Sequence, residues 1–69
     1  MICVCVKANI WFTYQKEYEI NFDDASGDIT VKSDDYGCCW YADCKGDGCY
    51  VCVDSRGEEA VFLEKAKAV

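Results

Sequence analysis

The sequence predicts an all-β fold, a small antiparallel barrel or strongly bent sheet of about six short strands. Three observations predict it. Apolar and polar residues alternate with period two along several short runs. Turn-forming residues recur every eight to ten positions. No run of apolar residues at helical spacing is long enough to make a convincing helix. The chain has 69 residues, which makes residues 1–69 a single β domain near the lower size limit for a core without staples. Hydrophobic residues are 52% of it and ten are aromatic, so a core is available and intrinsic disorder is excluded.

Ile2, Val4, Val6 and Ala8 alternate with Cys3, Cys5 and Lys7, which turns the even positions of a first strand toward the core and leaves the cysteines with Lys7 on the other face. After Asn9, the run Ile10 to Tyr14 is aromatic and β-branched; it either continues this strand past a bend or begins another. Gln15 and Lys16 lead into the clearest hairpin of the chain. Tyr18, Ile20 and Phe22 alternate with Glu19, Asn21 and Asp23. Beyond the turn Asp24-Ala25-Ser26-Gly27, Ile29 and Val31 alternate with Thr30 and Lys32. Asp34 to Gly37 is the next turn, and Cys38 to Ala42 returns as a strand beside 28–33. Asp43 to Gly48, with two glycines and two aspartates, reads as a loop. Cys49 to Asp54 is a strand, Ser55-Arg56-Gly57 a turn, and Glu59 to Glu64 a last strand. The end, from Lys65, carries a weak helical alternative. A faint repeat relates Gly27 to Tyr41 with Gly48 to Val61, each unit being strand, glycine turn and strand.

The charge is segregated. Between residues 17 and 35 there are seven carboxylates (Glu17, Glu19, Asp23, Asp24, Asp28, Asp34, Asp35) and one base, Lys32; the remainder balances, so the whole net charge of −6 lies in this hairpin. A chain with a pI near 4.3 is a poor ligand for phosphate, and direct nucleic-acid binding is excluded. A basic protein fits better. Carboxylates on one strand face recur at about 7 Å, and such an array imitates a nucleic-acid backbone toward the Lys and Arg of a partner. The plainer alternative is a solvated face that serves solubility and discourages edge pairing. The acidic stretch lacks the ligand spacing of a calcium loop.

Seven cysteines and no histidine bound the rest of the chemistry. The number is odd and no export signal or membrane span is visible, so the thiols are expected free and the protein cytoplasmic. Cys38, Cys39, Cys44, Cys49 and Cys52, with Cys3 and Cys5, offer enough sulfur for a structural or regulatory zinc module. Their spacing does not suit it: neighbours on a strand diverge, and only Cys44 and Cys49 flank a turn. The competing reading is that cysteine serves as a small, soft core filler. No metal ligand set is assigned and no cofactor is expected. Without histidine or an activated thiol the chain is not expected to be an enzyme. Trp40 and Tyr41 are strand neighbours, so one of them faces out; beside Tyr36 and Asp35 an exposed aromatic would anchor an interface.

Lys16 to Ile20 and Val53 to Phe62 resemble the opening and closing hairpins of small SH3-like barrel proteins of phages and mobile elements. The likeness covers about a third of the chain. Gln15 departs from it by standing where a glycine usually precedes the lysine, and an additional cysteine-bearing hairpin separates the two matching pieces. The resemblance implies the fold and a phage-like origin, and no activity. Together with the charge it gives the expected function. This is a small acidic inhibitor, of the anti-CRISPR or anti-restriction kind in a host cell. It would block a basic nucleic-acid-handling protein through Glu17, Glu19, Asp23, Asp24, Asp28, Asp34 and Asp35, with Tyr36 and Trp40 as aromatic contacts. The alternatives are the zinc module and a homo-oligomer built on a strand edge.

Overall fold

The structure, a computed structural model, describes residues 1–34 and 38–67. Among these residues the alternating runs form β1 (Ile2–Lys7), β2 (Glu17–Phe22), β3 (Ile29–Lys32), β4 (Cys39–Tyr41), β5 (Asp43–Gly46), β6 (Cys49–Val53) and β7 (Glu59–Glu64), followed by one 3-10 turn, Lys65–Lys67. They make a single sheet in the order β4-β3-β2-β1-β7-β6-β5, each neighbouring pair antiparallel. The two edge strands of that order, β4 and β5, are separated along the chain by Ala42 alone. The sheet therefore curls until both its edges belong to one bent strand, which makes a nearly closed antiparallel barrel. Ala42 holds the bend by donating its N–H to the Ile29 carbonyl at 2.8 Å.

The core is aromatic at its centre. Phe62 on β7 is fully buried, and its ring meets Phe12 and Tyr18 edge-on at 4.9 and 5.6 Å. Ile20, Val31, Ala60 and three cysteines, Cys3, Cys5 and Cys52, fill the space around these rings. Cysteine acts here as a compact apolar residue. Burial raises the pKa of Cys3 and Cys5, and it pushes the Cys52 thiol up to about 12, with nearby Asp43 and Cys5 adding to the effect. None of the three is a ready thiolate near neutral pH.

Three details differ from the sequence expectation. First, β1 is turned over: Cys3 and Cys5 face inward, Ile2 is 40% exposed, and Val4 and Val6 are only half-buried. Both faces of this strand are apolar, so alternation alone does not orient it. Size decides instead, because Cys3 lies opposite Tyr18 and Cys5 opposite Phe62, whose rings leave room for a thiol rather than a branched side chain. Second, residues 43–46, expected as loop, are β5. The turn consists of Asp47 and Gly48 alone, with Gly48 at φ 74°, and an Asp-Gly pair is a strong hairpin former. The register slips between Cys44 and Gly46, a bulge that absorbs the extra residue.

Third, residues 10–14 form no strand. The Asn9 side chain accepts the Trp11 N–H at 3.0 Å and donates to the Glu58 carbonyl at 3.2 Å, which curls the chain just after β1. Phe12 drops into the core as a result. The curl ends at Gln15, which has φ 69° while its N–H donates to the Cys5 carbonyl at 2.7 Å. A non-glycine residue pays ~1–2 kcal/mol for that left-handed conformation, whereas glycine adds ~0.5–1 kcal/mol of chain entropy to the unfolded state. Gln15→Gly is therefore expected to stabilise the fold by about 0.5–1 kcal/mol. Urea unfolding checks this as a raised midpoint at unchanged slope; a lowered midpoint would mean the glutamine side chain outweighs the backbone relief.

Candidate functional site: the acidic hairpin

The β2–β3 register, Ile20 opposite Val31 and Phe22 opposite Ile29, buries Tyr18, Ile20 and Val31 and points Glu17, Glu19 and Asn21 outward. The connecting loop is built by Asp23. Its carboxylate accepts the N–H of Ala25 at 2.9 Å and of Ser26 at 3.4 Å, while its carbonyl accepts from Gly27 at 2.7 Å. Gly27 takes φ 77° to complete the turn. The Ala25 N–H foremost, then Ser26, holds the Asp23 carboxyl below the usual aspartate range, so it stays charged.

The seven acids then divide by what they touch. Glu17 pairs with Lys65 at 2.8 Å. Asp34 pairs with Lys16 and accepts hydrogen bonds from the Thr13 hydroxyl at 2.6 Å and the Tyr18 hydroxyl at 2.8 Å. Tyr18 in turn accepts the Thr13 N–H at 2.7 Å. Asp34 is thus the hub that ties the loop before β2 to the end of β3. Counting Lys16 and Lys65, which lie outside the segment but contact it, the local charge falls from −6 to −4. Glu19, Asp24 and Asp28 are exposed, and their carboxylates have no ion-pair partner among the described residues. Asp35 and Tyr36, also expected at this site, lie outside the described residues.

Beside Glu19, though not beside Asp24 and Asp28 at the hairpin tip, runs an open groove of about 600 Å³ between Lys16, Glu17, Tyr18, Asn21, Lys32, Ser33 and Asp34. Lys16, Lys65 and the hydroxyls of Thr13 and Tyr18 are the members that sequence reasoning missed. The hairpin register contained a signal for Lys16, because continuing it from Ile20 and Val31 sets Glu17 opposite Asp34, with Lys16 next along the chain. Nothing in the sequence points to Lys65.

Trp40, expected as an exposed anchor, turns inward instead. Its position opposite Val31 fixes that side, and it packs on Trp11 with ring centres 5.2 Å apart. Tyr41 is the exposed member of the pair, at 74%. The carboxylate of Asp54, in the β6–β7 turn, is also structural. It accepts the N–H groups of Arg56 and Glu58, both at 2.9 Å. Burial opposes its ionisation, but those N–H groups, the Arg56 guanidinium and the Trp11 side chain outweigh burial, and its pKa is lowered. Among the described residues the buried Trp40 indole N–H finds no hydrogen-bond partner, and the buried Asp54 Oδ2, which accepts no hydrogen bond from them, lies 3.7 Å from the Arg56 guanidinium.

Among the described residues no group of three or more Cys, Asp or Glu stands close enough to hold a metal ion. Cys38, Cys39 and Cys44 are exposed and Cys49 is half-buried; Cys44 lies opposite Tyr50 and Cys49 opposite Gly46, and the Cys44 thiol donates to the Gly46 carbonyl. Among the described residues no helix is long and apolar enough to cross a membrane.

Fold and site together define a class, a small all-β barrel that carries an exposed acidic hairpin. Comparison with protein-family models, with curated proteins and with solved structures finds no match to this chain.

Proposed function

We propose that this protein is a binding module that docks on a basic, nucleic-acid-handling protein through its β2–β3 hairpin and excludes nucleic acid from that surface. One observation carries the reading: Glu19, Asp24 and Asp28 present carboxylates that have no ion-pair partner among the described residues, on a hairpin whose tip is fixed by Asp23, while the compensating Lys16 and Lys65 sit at its base. A charged array held by a rigid turn meets a basic surface without ordering itself first, which favours both attraction and orientation. The resemblance to phage barrel proteins adds a setting, the inhibition of a host defence protein.

The test is capture from lysate with wild-type protein and with the triple variant Glu19→Lys, Asp24→Lys, Asp28→Lys. Asp23 and Asp34 are left alone because they hold the fold. Wild type is expected to retain nucleic-acid-binding proteins that competing DNA displaces, with retention falling as salt rises. The triple variant should weaken that binding by about a hundredfold or more while its thermal melt stays close to wild type. Partners held equally by a folded triple variant would remove the hairpin from the interface.

A further inference from the structure

We draw no further inference here: the strongest candidate, the open groove on the outer face of β2 and β3 lined by Lys16, Glu19, Asn21 and Lys32, belongs to the acidic hairpin already described.

Discussion

Phe62→Ala is expected to leave the domain largely unfolded at room temperature. Phe62 is fully buried on β7, a strand hydrogen-bonded to β1 on one side and β6 on the other. Its ring receives Phe12 from the curled loop and Tyr18 from β2, at 4.9 and 5.6 Å. Truncation of such a ring costs ~3–5 kcal/mol, because the barrel walls are held by their ladders and collapse only partly into the hole. A domain of this length has a total stability of about 3–10 kcal/mol, so the loss approaches the whole. Phe62→Leu, which keeps most of the volume, should cost under about 1.5 kcal/mol and fold. Near-UV circular dichroism and urea unfolding check both variants. A Phe62→Ala protein with a wild-type midpoint would mean that the three-ring cluster is not the centre of the core.

The second large effect is at Asp34, and it is pH-dependent. Asp34→Ala removes the acceptor for Tyr18 and Thr13 and the partner of Lys16, at a cost of about 2 kcal/mol near neutral pH. The ion pair with Lys16 foremost, then the Thr13 hydroxyl and, against a small opposing effect of burial, the Tyr18 hydroxyl, holds the carboxyl below its ordinary value of 3.8. A folded-state pKa below the unfolded one means that the unfolded chain binds the proton more readily. The stability it supplies is complete well above pH 3.8 and drains away as pH falls through that value toward the lower folded one. Urea midpoints of wild type and Asp34→Ala should therefore lie far apart at about pH 7 and converge toward about pH 3. A gap of constant size at both pH values would refute the role of the ionised carboxylate.

The parts of this molecule that were legible in its sequence are those set by local chemistry. Tyr18 and Ile20 alternate cleanly with charged residues, so the β2–β3 hairpin and its buried face could be read directly. β1 could not be oriented that way, because cysteine and valine are both apolar and the choice between them depends on rings supplied by β2 and β7. The Ile10–Tyr14 run has the composition of a strand, yet one Asn9 side chain bonded to the chain at Trp11 and Glu58 turns it into a curl. At the site, the number of carboxylates was visible and their pairing was not. Asp34 and Glu17 find their lysines on other elements, while Glu19, Asp24 and Asp28 find none among the described residues. Charge counting treated all seven alike.

The sheet order also constrains how the chain assembles in time. β1 is made first, but of its two neighbours one is β2 and the other is β7, whose pairing partner for Cys3 is Glu64. Until that distant strand has emerged from the ribosome, one flank of β1 stays open and Cys5 lacks the ring of Phe62 above it. A fragment stopping short of β7 retains hairpins without a closed wall, so the barrel has no stable smaller version. Pairing across nearly the full sequence also requires the largest loop closure the chain offers, which places its folding among the slower regimes for its size.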